Sequence, residues 1–349
     1  MKNIFSPLTI YYKKPLNFKE NNSQFKIFEN LIPDNYFEPK LYLLKNVRVA
    51  TNSVVFNYFK IYRESCINIT NYNLYKKGYK FFIKFIFPKI NFSKKRFILI
   101  TDEWTSNYYH WHIFALSKLL ILQEKNFTDN SLLVLPKKYK KYKFVLPTLE
   151  KMGISREKIV FLPRKSNIKV KELALIETSQ QNPIAFNKLR EVLTRNIKKT
   201  NFDFGEKIYI SRQNQVLRFV ENEEELTEIL EKYGFKKVVI DNFSYDEQIA
   251  ISAKAKYLIS PHEAGLTNIL FMKENSYLLE MATKPHDNKL LTDYYKLSSI
   301  LNINYLYQEC EVGENSKVKD FHHGSLVVDL KKLEENLNLM FEHGNNHSK

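Results

Sequence analysis

Cysteine is nearly absent: Cys66 and Cys310 are the only two in 349 residues. That excludes a disulfide framework and a CxxC zinc or redox site, and it suits a reducing cytosol. Glycine (8) and proline (11) are sparse, which excludes fibrous and low-complexity classes. The opening Met1-Lys-Asn-Ile-Phe-Ser-Pro7 lacks the apolar core of a signal peptide. The most hydrophobic early run, residues 81–88, is broken by Lys84 and Pro88, too short to span a bilayer. Several motifs are missing too. Without GxGxxG after a strand, or GxxxxGK[ST], a dinucleotide cofactor and a P-loop NTPase are not expected. HExxH, GxSxG and the DxD pair that holds a metal on a sugar nucleotide do not occur. Phosphate is therefore expected on helix ends and arginine, with no metal and no cofactor.

What is present is a globular chain, 44% hydrophobic and 14% aromatic, long enough for two domains. Its formal net charge is +16, yet only nine of the 54 basic residues are arginine. Lysine is spread along the whole chain with Asn, Ile, Tyr and Phe. Base and phosphate readers favour the planar arginine fork, so the excess reads as compositional bias and not as a nucleic-acid site. The surface lysines and aromatics also point to a peripheral contact with anionic membrane.

Runs at Asn46–Ala50 and Ser53–Phe59 alternate as strands do, although residues 1–95 are otherwise hard to read. From Arg96 strands and helices alternate: a strand at 97–100, a helix at 107–125, a strand at 131–135, a helix at 141–152, a strand at 158–162 and a helix at 183–199. The stretch 198–205 reads as a linker. A second series follows, with strands at 207–211, 237–240, 257–260, 276–280 and 304–307. Its helices are 221–233, stopped by Gly234, then 245–255 and 288–301, and an amphipathic helix at 328–341 carries Leu330, Leu333, Leu337 and Met340 on one face. Such alternation implies parallel sheets built from right-handed βαβ units, hence an α/β fold of two Rossmann-like halves facing a cleft.

Residues 257–272, YLISPHEAGLTNILFM, are the most informative stretch. They read as a strand stopped by Pro261, a polar turn and an amphipathic helix starting near Glu263. His262 and Glu263 then lie at the carboxyl edge of the sheet, where open α/β folds bind ligands and helix N-termini attract phosphate. Ala264 and Gly265 leave room for a ligand to approach the backbone. Arg212 closes the strand 207–211 at the same edge and suits a pyrophosphate clamp, or else is a solvated loop arginine. Arg218 follows, and could instead pair with Glu223. Glu280 ends the strand 276–280, where a carboxylate accepts ribose hydroxyls; the alternative is a cap or surface acid. In the first half Asn107 caps a helix whose first turn carries His110, placed to take a proton or bind a hydroxyl, or else packed to orient a loop. Trp111 reads as core.

These pieces together resemble glycosyltransferase family 61 over residues 107–281. They are Asn-x-x-His-Trp from Asn107, Tyr-Ile-Ser-Arg ending at Arg212, Arg218 with Asn222-Glu223, Glu247-Gln248, and Pro-His-x-Ala-Gly-Leu-Thr-Asn-x-Leu-Phe-Met from Pro261, followed by Leu-Leu-Glu280. The resemblance implies a GT-B architecture and metal-independent, inverting transfer from a nucleotide sugar, UDP-linked by preference. The acceptor would be a glycan or lipid-linked chain in bacterial capsular or cell-surface polysaccharide assembly. It implies a donor group of Arg212, His262, Gly265, Asn268, Glu280 and Arg218, with Asn107, Trp111, Asn222, Glu223 and Gln248 in support. Two departures bear on the base. Glu263 stands where the family usually has glycine, and Phe114 stands where it often has an acid, four residues after His110. Glu263 is placed ahead of His110 as catalytic base.

The domains expected are 1–200 on the acceptor side, 205–325 holding the nucleotide sugar, and 326–349 as a helix and tail packing back on the first domain. The expected location is cytoplasmic, peripheral at the inner membrane face. The competing readings are another sugar-nucleotide enzyme on the same fold and a non-catalytic binding or scaffold protein.

Overall fold

The computed structural model describes residues 4–29, 31–58, 60–66, 69–77, 79–88, 93–177, 181–197, 202–284, 292–316 and 323–346. Residues 198–201 of the expected linker and 288–291 of the expected helix lie outside them. Two compact units emerge: Met1–Leu8 with Asn35–Arg195, and Thr9–Asp34 with Asn196–Lys349.

The first unit is built on a mixed seven-stranded sheet. In spatial order its strands are Lys60–Ile61, Val55–Asn57, Leu41–Ala50, Asn167–Ile176, Arg96–Leu99, Ser131–Pro136 and Ile159–Leu162. The last four run parallel, and Leu41–Ala50 pairs antiparallel with Asn167–Ile176 over its whole length. The chain moves outward from Arg96–Leu99 on one side and returns on the other, so its order reverses beside that strand. The expected helix at 107–125 is present as Tyr108–His110, a π-helical turn over Trp111–Ala115, and Leu116–Glu124. In that turn the Leu116 N–H reaches back to the Trp111 carbonyl. Such turns occur often at functional sites.

The second unit carries a six-stranded sheet ordered Lys236–Val238, Lys207–Ile210, Tyr257–Pro261, Tyr277–Thr283, Asn304–Val312 and Leu326–Val327. All but the last, antiparallel strand run parallel. Counting the five parallel strands along the chain gives the order 2-1-3-4-5, a doubly wound arrangement whose switch point lies between Lys207–Ile210 and Tyr257–Pro261. Alternate residues face opposite layers. Tyr209, Ile259, Leu279 and Met281 pack with Leu226 and Leu230 of the helix Glu223–Lys232 and with Leu333, Leu337 and Met340 of the helix Leu330–Asn346. That last helix therefore belongs to the second unit's core. Its apolar face is satisfied where it lies.

Residues 9–34 also join the second unit, against the expected boundary. The Leu16 N–H donates to the Tyr305 carbonyl (2.7 Å), and the buried Asn17 amide bridges the Tyr307 carbonyl and Asn336 (both 2.8 Å). Phe28 packs its ring against Tyr295 and Tyr307 at 4.8 and 5.6 Å.

Candidate active site

The carboxyl edge at the second unit's switch point gathers Arg212 and Arg218 from one strand end with His262 and Glu263 from the next. Arg212 is not a solvated loop residue: it is 8% exposed. Its Nη1 is ion-paired to Glu263, while Nε and Nη2 donate to the Leu217 carbonyl at 3.2 and 3.0 Å. Burial raises the Glu263 carboxyl above its usual range; Arg212 opposes that shift, and Asp241 adds to it.

The segment after Glu263 is a 3-10 helix, Ala264–Phe271, in place of the expected amphipathic α-helix. Residues Leu266 to Phe271 are all buried, so it has no solvent face to be amphipathic about. Glu263 is extended and makes no side-chain cap bond. Gly265 also has a different reason from the one expected. A Cβ there would fall on the Glu263 carboxylate, so the glycine makes room for that side chain. Asn268 is fully buried within the same helix.

His262 is held at both ends. Its N–H donates to the Met281 carbonyl (2.8 Å), and Nδ1 is bonded to Glu280 Oε1. Glu280 is neither a cap nor a surface acid: it is wholly buried, and Tyr305 Oη donates to its Oε2 at 2.7 Å. With both oxygens engaged, Glu280 orients the His262 ring, as second carboxylates do for functional histidines. Tyr294 packs edge-on to that ring at 5.3 Å. Tyr294 and Tyr305 went unremarked in the sequence, where nothing sets them apart among 22 tyrosines.

Arg218 does not pair with Glu223. Its Nη1 donates to the His262 carbonyl (3.0 Å), and burial, then Arg212, lowers its pKa. It adopts a left-handed backbone, φ +56°, a conformation a non-glycine side chain holds only when its surroundings over-determine it. Leu326 supplies part of that constraint, with its N–H on the Phe219 carbonyl and its own carbonyl on the Glu221 N–H, both 2.8 Å. Arg218, His262, Thr283 and Gly324 line a small cavity. Arg218 Nε and Thr283 Oγ1 are buried there without a hydrogen-bond partner among the described residues. Buried polar groups are rarely left so.

The supporting residues brace this edge. Glu223 accepts from Tyr209 Oη and Ser211 Oγ (each 2.7 Å) and from Lys237 Nζ (2.8 Å). The Asn222 side chain is bonded to both the N–H and the carbonyl of Val328 at 2.9 Å. Gln248 donates to the Ile240 and Phe243 carbonyls at 3.2 and 3.1 Å.

In the first unit Asn107 caps the helix, its Oδ1 accepting from the Tyr109 N–H at 2.9 Å and the His110 N–H at 3.5 Å. Trp111 is fully buried and donates to Thr148 Oγ1 at 2.9 Å. His110 stacks on Phe114 with centroids 5.5 Å apart, and its Nδ1 has no hydrogen-bond partner among the described residues. Burial lowers its pKa, with Asp102 opposing, so it is neutral at pH 7. Asp102 and Lys118, neither singled out in the sequence, form a buried ion pair at 3.0 Å beside this helix start. The only sequence signal for the pair was an acid three residues past a strand end. Among the described residues no group of His, Cys, Asp and Glu is arranged to hold a metal ion.

An α/β protein with basic and acidic side chains paired at the carboxyl edge of a doubly wound sheet has the makings of a phosphate-ester or nucleotide-handling enzyme. The comparison with known families is more particular. The glycosyltransferase 61 family model matches residues 108–279, taking in both the Asn107 helix and the Pro-His-Glu-Ala-Gly segment. That match supports membership of glycosyltransferase family 61 and, with it, glycosyltransferase activity. No curated protein matches it.

Proposed function

We propose that this glycosyltransferase moves a sugar from a nucleotide-sugar donor, UDP-linked by preference, to a glycan or lipid-linked acceptor with inversion and without a metal. The setting inferred is capsular or cell-surface polysaccharide assembly on the cytoplasmic side of a bacterial membrane. The architecture inferred is GT-B, with the second unit holding the donor and the first serving the acceptor. The observation that carries the reading is the convergence of Arg212 and Arg218 on His262 and Glu263 at a sheet switch point. An anionic diphosphate is the ligand this arrangement suits: Arg218 has a buried N–H without a partner among the described residues, and Arg212 can exchange a carboxylate for a phosphate oxygen.

That exchange has a chemical consequence. A carboxylate paired with arginine is a weak base. When the diphosphate draws the Arg212 guanidinium, Glu263 loses the interaction that opposes its burial, and its proton affinity rises. Donor binding thus prepares the base. The acceptor hydroxyl gives its proton to Glu263 as its oxygen bonds to the anomeric carbon. The bond from that carbon to the diphosphate breaks, and the leaving oxygen takes the electron pair under the charge of both arginines. His262, set by Glu280, lies against the donor. His110 is the alternative base.

The test is a thermal-shift panel of UDP-, GDP-, CDP-, CMP- and dTDP-sugars on wild type and Arg212→Lys, which keeps a charge opposite Glu263 but loses the fork. At saturation near 100 times Kd a donor stabilises by about 2.7 kcal/mol. A shift with UDP-sugars that Arg212→Lys abolishes supports the reading. No shift with any donor removes the nucleotide-sugar assignment, and an unchanged shift in the variant removes the clamp.

A further inference from the structure

The first unit carries a basic surface with exposed apolar side chains. Between residues 65 and 101 the sequence has eight basic residues and no Asp or Glu. Within it the short helix Tyr79–Lys84 turns one edge inward, where Phe81 and Phe85 pack on Phe56 with centroids at 5.3 and 6.1 Å. Apolar side chains of the helix and of the turn that follows stand bare: Ile83 is 61% exposed, Ile86 56% and Phe87 86%, with Lys84, Lys94 and Lys95 exposed as well.

These side chains are held outward by the fold. Asn167, wholly buried on its strand, donates from Nδ2 to the Phe85 and Phe87 carbonyls at 2.9 and 3.1 Å. Arg48 donates from Nη1 to the Phe85 and Ile86 carbonyls at 3.3 and 3.0 Å. Three consecutive carbonyls are thus fixed by two polar side chains of the sheet, and the result is a set apolar tip in water. A local conflict of this kind is expected where something covers the tip.

We propose that this segment is an interfacial anchor that inserts Ile83, Ile86 and Phe87 into an anionic lipid bilayer and sets its lysines against the headgroups. Charge identifies the occupant. A run of one sign with apolar residues between suits a negatively charged bilayer surface, into whose boundary such side chains sink. Among the described residues no helix is long and apolar enough to cross a membrane. The anchor stands whether or not a nucleotide sugar is the donor.

Co-sedimentation of the full chain with phosphatidylcholine vesicles, with and without phosphatidylglycerol, at low and high salt, tests it. Binding is expected only to the anionic vesicles and should fall with salt. Ile86→Ser/Phe87→Ser should lower partitioning by about tenfold per side chain. Lys84→Gln/Lys95→Gln should lower it by about fivefold per lysine. All four side chains are exposed, so the thermal midpoint and any donor-induced shift should stay at wild-type values, which separates this anchor from the donor site. Equal sedimentation of wild type and the Ile86/Phe87 variant on anionic vesicles would overturn the proposal. So would wild-type binding that ignores lipid charge, or a wild-type dimer that the variant abolishes without any effect of lipid.

Discussion

Replacing Arg212 with methionine strands the Glu263 carboxylate in a place where only 11% of its side chain meets solvent. Removing one member of a buried ion pair typically costs about 3–5 kcal/mol, because the charge left behind keeps its desolvation penalty and loses its partner. Glu263→Gln strands the guanidinium instead, though Arg212 keeps its bonds to the Leu217 carbonyl, so its cost should fall at the lower end. In the double variant neither charge remains. Its cost should be smaller than the sum of the singles by about 2–3 kcal/mol, at the upper end of coupling energies measured for contacting residues. The assay is urea denaturation followed by far-UV circular dichroism, since both tryptophans, Trp104 and Trp111, lie in the first unit. The pH dependence follows from the direction of the Glu263 shift. Its folded pKa stands above the unfolded one, and Arg212→Met raises it further by removing the opposing charge. Between the two values the folded state holds a proton that the unfolded state has lost, so stability falls as pH rises through that window. The Arg212→Met deficit should therefore be smaller at about pH 5 than at about pH 8. Strict additivity in the double variant, or a deficit that ignores pH, would show that the two side chains do not share a buried charge balance.

Gly265→Ala should break the same pair by a different route. The added methyl group falls on the Glu263 carboxylate, so the variant should lose turnover and about 2–4 kcal/mol, near the cost of a broken buried pair; wild-type stability by urea denaturation would contradict this. Tyr305→Phe removes one donor from the buried Glu280, which should cost about 1–3 kcal/mol and loosen the His262 ring. If Glu280 works through His262, kcat should fall in Tyr305→Phe with KM little changed; unchanged kcat would confine Tyr305 to the core.

The parallel strands were legible because a strand buried on both faces reads as a short apolar run, as Tyr257–Pro261 does. Asn167–Ile176 escaped that reading because its first half alternates with Lys169 and Lys171 while only its last four residues are continuously buried. The transfer of residues 9–34 to the second unit rests on bonds such as Asn17 to Tyr307, 290 residues apart, which no local pattern encodes. For the site, the edge was readable and the pairings were not. Pro261, His262 and Arg212 mark strand ends by composition. That Arg212 takes Glu263, that Glu280 takes His262, and that Gly265 serves Glu263 are decided by packing across strands.

Both units place a buried ion pair just beyond a parallel strand where the chain order reverses: Arg212 with Glu263 in one, Lys118 with Asp102 in the other. Such pairs are poor devices for stability, because apolar residues of similar volume usually do as well or better. Around the second unit's pair lie further costs: a left-handed Arg218, an Arg218 Nε without a partner among the described residues and a glycine conceded to Glu263. Proteins break local rules mainly where function requires it. The concentration of these costs at one sheet edge, set against a well-packed sheet behind it, supports the proposed site more than any single residue there. Under the proposed function the ion pair has a use: an arginine already desolvated and aimed would need only an anion stronger than its resident carboxylate to change partners, and would then free the carboxylate as a base.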